Sequence, residues 1–91
     1  MLDNAQKQYL REAVIEYLAK RSTMSFNVSA VSRGIVRGSL VDFPFSEADI
    51  AEALAVLEGL GFVKVIMPRL GSIKEYRITS DGVLFYERSG S

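Results

Sequence analysis

The middle of the chain carries the clearest amphipathic pattern. Ile50, Leu54 and Leu57 recur at i, i+4 and i+7, with alanines between them, and this is the spacing of one buried face of an α-helix. Alanine has the highest helix propensity, so the residues between the apolar positions favour the same structure. The pattern predicts a helix over residues 47–60 that packs through this face.

Both ends of this helix are marked in the sequence. Ser46 is followed three residues later by Asp49. In this spacing the serine oxygen accepts a hydrogen bond from the first turn, and the carboxylate accepts one from the backbone N–H of the serine. Gly61 follows the last turn, and glycine readily adopts the left-handed conformation that ends many helices. The helix is therefore expected to begin after Ser46 and to end before Gly61.

Two weaker helical patterns precede it. The first covers about residues 4–21, and its apolar stripe consists of Leu10, Ala13, Val14, Tyr17 and Leu18. The second covers about residues 28–37, where Asn27 or Ser29 can cap its start. Gly34 lies inside this second helix, and glycine there costs about 0.5–1 kcal/mol relative to alanine. Packing against neighbouring elements must therefore stabilise it.

Strand patterns follow the third helix. Residues 62–67 and 73–79 are rich in β-branched and aromatic residues, and a turn containing proline and glycine separates them. This arrangement predicts an antiparallel hairpin over residues 62–79. Thr79 can cap a last, short helix over about residues 80–88.

Composition limits the chemistry that the chain can perform. A chain of 91 residues with 48% hydrophobic residues has the size and material for one core, so we expect a single domain over residues 1–91. It contains no cysteine and no histidine, which excludes disulfides, thiolate nucleophiles, imidazole bases and the common zinc ligand sets. No serine and lysine are marked as a nucleophile and its base. We expect a protein that is not an enzyme and that uses no cofactor or metal.

The sequence also bears on location. Its first residues carry acidic and amide side chains rather than a basic segment before an apolar run, which is not typical of a signal peptide. No apolar stretch approaches the ~20 residues that span a membrane, and a chain without disulfides fits a reducing compartment. We expect a cytoplasmic protein without a membrane partner.

Three helices followed by a hairpin are the element order of the winged helix-turn-helix superfamily. Residues 57–63, LEGLGFV, resemble the passage that ends the third helix and opens the wing. Residues 76–82, YRITSDG, are similar to the end of the wing in MarR- and PadR-type repressors. The resemblance covers roughly residues 5–88. It implies an α+β, mostly α fold, in which a three-helix bundle carries a two-stranded antiparallel hairpin, the wing (residues 62–79), and a short C-terminal helix.

The resemblance further implies DNA binding, with the third helix in the major groove and the wing on phosphate or in the minor groove. Base edges are usually read by arginine, lysine, asparagine or glutamine near the start of that helix. The outward positions of the predicted third helix are instead Glu47, Ala48, Ala51, Glu52, Ala55 and Glu58. Phosphates repel carboxylates, and only the amino group of cytosine favours them. This helix therefore departs from the pattern of sequence-specific readout.

Charge is balanced over the chain, with eleven basic and eleven acidic residues, but its distribution is uneven. Residues 20–41 carry four basic residues and no acid, residues 42–60 carry five acids and no base, and residues 61–79 carry four basic residues and one acid. Two basic segments thus flank an acidic one. Three interpretations remain open: a solvated surface whose charges pair among themselves, phosphate binding, and contact with a protein partner.

The main prediction is a small winged-helix DNA-binding domain with a regulatory or accessory role, which contacts the phosphates of double-stranded DNA through the second helix and the wing. The residues expected to bind nucleic acid are Arg33, Arg37, Lys64, Arg69 and Lys74. Base stacking on Tyr76 is a further alternative. The alternative function is protein–protein interaction without DNA binding. In that case an acidic third helix meets a basic protein partner or a second copy in a homodimer, through Glu47, Glu52 and Glu58.

Overall fold

The computed structural model describes residues 2–67, 69 and 73–89. Its elements are α1 (Asn4–Ala19), α2 (Val28–Gly38), α3 (Glu47–Gly59), β1 (Val63–Ile66), β2 (Glu75–Ile78) and α4 (Ser80–Ser89), and the two strands form one antiparallel sheet. The mostly helical α+β fold predicted from the sequence is confirmed. The first helix ends at Ala19, before the expected residue 21. The N–H of Arg21 donates to the carbonyl of Leu18, three residues back, at 3.0 Å, and residues 20–23 form turns.

The helices and the sheet enclose one apolar core. Ile50, Leu54 and Leu57 of α3 are buried in it, which confirms the face that their spacing predicts. Full burial of a large aliphatic side chain contributes about 1.5–3 kcal/mol, so this face is a main source of stability. The buried side chains from the other elements include Leu10, Val14, Leu18, Val31, Ile35, Val63, Tyr76 and Ile78.

The two ends of α3 have the structures that the sequence predicts. The backbone N–H of Ser46 donates to the Asp49 carboxylate at 2.8 Å, and Ser46 Oγ accepts the N–H of Asp49 at 3.3 Å. The first of these bonds lowers the pKa of the Asp49 carboxyl. Gly61 has a φ of 82°, and the N–H of Phe62 donates to the carbonyl of Leu57 at 2.9 Å. This Schellman motif turns the chain directly from α3 into β1.

Close contact with α1 holds α2, the helix of weakest propensity, in place. A Cβ atom at Gly34 would collide with the ring of Tyr17. The Tyr17 ring also contacts Phe26 edge-on, with centroids 5.2 Å apart, and carries the guanidinium of Arg21 at 4.2 Å from its centroid. Asn27 caps α2 by accepting a backbone N–H of its first turn. Gly34 thus weakens the helix locally but permits the packing that stabilises it.

A hydroxyl joins α4 to the start of the hairpin. Thr79 Oγ1 donates to the carbonyl of Gly61 at 2.7 Å and accepts the N–H of Gly82 at 3.1 Å. Thr79 therefore caps α4, as predicted, and also fixes this helix to the turn after α3.

Candidate nucleic-acid interface

Two arginines dominate the outer face of α2. Arg33 and Arg37 are both exposed and lie one helical turn apart. Ser29, one turn before Arg33, lies on the same face, and Val36 is 65% exposed beside them. Within the described part of the chain neither arginine forms a salt bridge. Their guanidinium groups are therefore available to an external anion.

The sheet places two further cations opposite each other. Lys64 of β1 pairs with Arg77 of β2 in the antiparallel register, so both side chains project from the same face. Arg77 Nε donates to the carbonyl of Ser22 at 3.3 Å, which fixes its position. Like charges directly opposite on a sheet destabilise it, and a bound anion would relieve this repulsion. Arg77 is missing from the predicted binding residues. Alternation along the predicted strand places it on the face opposite Tyr76 and Ile78, and this is the sequence signal that could have found it.

The other two predicted residues lie toward the tip of the hairpin. Lys74 is exposed immediately before β2, and Arg69 is exposed in the connection between the strands, where it makes a contact within the protein. Glu75, the acid of residues 61–79, accepts a hydrogen bond of 2.6 Å from Ser25 Oγ. Its carboxylate is thus tied to the segment that leads into α2.

Backbone pairing attaches the wing to the start of α2. The N–H groups of Phe26 and Tyr76 each donate to the carbonyl of the other, at 2.9 and 2.7 Å. This pairing and the bond between Ser25 and Glu75 connect the wing to the start of α2, and these two elements contain the basic residues predicted to bind phosphate. Tyr76 is only 8% exposed, so its ring belongs to the core and the base-stacking alternative is wrong.

The carboxylates of α3 have different surroundings. Ser29 Oγ lies 3.0 Å from each carboxylate oxygen of Glu47, and Glu52 forms a salt bridge of 3.4 Å with Lys7 of α1. Glu58 is exposed. Two of the three acids predicted for a basic partner are therefore engaged by other helices. The other outward positions predicted for α3 are alanines, of which Ala48 and Ala55 are exposed and Ala51 is half-buried, and Val56 is 38% exposed.

An apolar groove, which the sequence does not predict, lies between α1, α3 and α4. It has a volume of about 200 Å³, and its apolar lining consists of Ile15, Leu57, Leu60, Phe62 and Phe85. We refer to it as the α1–α4 groove. The rings of Phe62 and Phe85 stack with centroids 4.6 Å apart, and Leu60 is 60% exposed. Its residues come from separate parts of the chain, so no local pattern identifies it.

Three other features would point to a different kind of site: a buried polar side chain, a group of metal ligands and a membrane-spanning helix. The described residues contain no buried polar or charged side chain outside the tyrosine of the core, and no group of three or more potential metal ligands. In the same part of the chain, no helix has both the length and the apolar character needed to cross a membrane.

The fold is similar to that of solved transcription regulators. One is a PadR family transcription regulator from Clostridium difficile R20291, with a TM-score of 0.73 and 16% identity, over 90% of this chain and 83% of that chain. Another is a transcriptional regulator from Clostridium thermocellum, with a TM-score of 0.75 and 18% identity, over 99% of this chain and 84% of that chain. No protein-family model and no curated protein matches the chain. The structural similarity confirms the winged-helix fold.

Proposed function

We propose that this winged-helix domain binds double-stranded DNA in a regulatory or accessory role, and that α2 and the wing supply the phosphate contacts. The main support is the arrangement of cations on two joined elements, of which Arg33, Arg37 and Lys64 are exposed and Arg77 is half-buried. Arg33 and Arg37 lie on α2, and the sheet beside it carries the opposed pair Lys64 and Arg77. The structurally similar proteins are transcription regulators, and this role implies a cytoplasmic location with access to DNA.

The surroundings of α3 are compatible with a groove lined by phosphates. The salt bridge to Lys7 neutralises Glu52, and the alanines at outward positions carry no charged or polar side chain, so Glu47 and Glu58 are the acids of the predicted set that keep their charge. Phosphate contacts position a protein on DNA without reading its sequence. We therefore expect most of the affinity to be electrostatic and independent of sequence.

The alternative, a protein-interaction domain with an acidic third helix, has less support. Lys7 already pairs with Glu52, so among the described residues the acids of the predicted set without a salt bridge are Glu47, which Ser29 orients, and Glu58. A basic protein partner and a homodimer stay as predictions.

Salt dependence of duplex binding tests the proposal. Four or five phosphate contacts predict that affinity for a fluorescently labelled duplex of about 20 base pairs falls roughly 100- to 500-fold between 50 and 200 mM salt. Fluorescence anisotropy measures both affinities. Absence of binding at 50 mM salt, or affinity that is the same at both concentrations, would contradict DNA binding through phosphates.

A further inference from the structure

We propose that Glu47, held by Ser29, selects a cytosine in the major groove. The inference rests on the proposed DNA binding and adds a base preference to it. Glu47 is the first residue of α3 and is exposed. In helix-turn-helix docking, the N-terminal residues of this helix are the ones that contact base edges, while the preceding helix crosses the phosphate backbone.

The contact with Ser29 orients the carboxylate without using up its hydrogen-bonding capacity. The hydroxyl of Ser29 lies 3.0 Å from both oxygens of Glu47, so its single hydrogen is shared between them. A carboxylate has about four acceptor positions, and most of them remain open toward solvent. Because the bond runs from α2 to α3, it restricts the rotamers of a long side chain before any ligand arrives.

No cation of the described chain neutralises this carboxylate. Glu52 is within 4.0 Å of Lys7, but Glu47 has no salt bridge among the described residues. Arg33, one turn beyond Ser29 on α2, is placed for the neighbouring phosphate. A bond from Arg33 to that phosphate would hold the DNA strand near α3, and the charged Glu47 carboxylate could then accept a hydrogen bond from a base edge.

The chemistry of the base edges favours cytosine. In the major groove cytosine presents its N4 amino group as a donor, whereas guanine presents two acceptors and thymine presents an acceptor and a methyl group. Adenine also has an amino donor, but its N7 acceptor lies beside it and repels a carboxylate. A negative, acceptor-only side chain therefore discriminates for cytosine.

Selection from a duplex library with randomised central positions tests this inference. The protein is expected to enrich cytosine at one position of one strand, and each other base there should lower affinity by roughly 5- to 150-fold, the usual cost of a mismatched base pair. Glutamine pairs with adenine, so Glu47→Gln should change the preferred base at that position from cytosine to adenine. Ser29→Ala should weaken the cytosine preference, and Glu58→Gln, at the far end of α3, should leave it intact.

A modified duplex tests the same contact with the unaltered protein. N4-methylcytosine at the selected position keeps base pairing but replaces the major-groove N–H with a methyl group, and it should lower affinity as much as a wrong base does. Duplex binding without any base preference, or with a cytosine preference that survives Glu47→Gln and N4-methylation, would overturn the inference and leave the proposed function standing. Absence of duplex binding at 50 mM salt would overturn both.

Discussion

Replacing Arg33 and Arg37 together with alanine is expected to weaken duplex binding by about 100-fold at 50 mM salt, because each charge-assisted bond to a phosphate contributes roughly 1.5 kcal/mol. The loss should be equal for duplexes of different sequence, since phosphates carry no base information. The slope of log affinity against log salt should become shallower by about 2. Fluorescence anisotropy over a range of salt concentrations gives both quantities.

A matched control separates the site from the net charge. Arg11→Ala combined with Arg88→Ala removes the same formal charge from α1 and α4. This variant should retain affinity within a few fold of the unaltered protein, because charges outside the proposed DNA-binding surface are screened beyond about a Debye length. Equal losses in the two double variants would show that overall charge, and not the surface of α2, governs binding.

Gly82→Ala is expected to lower the free energy of unfolding by about 2–3 kcal/mol. A Cβ atom at this position would collide with the backbone carbonyl oxygen of Phe62 and with the side chain of Ile78. Backbone cannot rotate out of the way as a flexible side chain can, so α4 must move away from the start of the wing. Urea unfolding followed by circular dichroism measures the change.

Gly59→Ala is the matched control for that substitution. A Cβ atom at Gly59 would meet nothing within 4 Å, and the residue lies in the last turn of α3. Alanine there is expected to raise the free energy of unfolding by about 0.5–1 kcal/mol, because it loses less backbone entropy in a helix. If both alanine variants were equally stable, the contact between α4 and the wing would not constrain the fold.

The parts of the fold that the sequence predicted are those determined locally. Ser46 and Asp49 cap α3 across three residues, and Gly61 ends it through bonds to the preceding turn. Thr79 caps α4 in the same local way. Such signals need no knowledge of tertiary structure. The order of elements that they define was then sufficient to indicate a winged helix.

Features that depend on tertiary structure were not predictable in the same way. Ser39, and not a glycine, adopts the left-handed conformation after α2, with a φ of 51°. Gly34 looked only like a weakness of α2, but it makes room for the ring of Tyr17. The α1–α4 groove draws its lining from three helices and the start of the wing. In each case the deciding neighbour is distant in sequence.

The candidate site was predictable in composition but not in its connections. The exposed cations of α2 followed from the charge distribution, whereas the pairing of Lys64 with Arg77 depends on the register of the sheet. The bonds of Glu47 to α2 and of Glu52 to α1 could not be predicted from the charges of the acidic segment, residues 42–60. Lys7 neutralises Glu52, whereas Ser29 orients Glu47 and leaves its charge in place.

Chemical-shift mapping of a duplex titrated into the ¹⁵N-labelled protein at low salt locates the surface of the protein that contacts DNA. The proposed function predicts that the backbone amide signals of Arg33, Arg37 and Lys64 shift progressively with added DNA, while those of Ile15 and Phe85 in the α1–α4 groove stay in place. Shifts confined to the groove residues, or a spectrum that the duplex leaves unchanged, would contradict DNA binding through α2 and the wing.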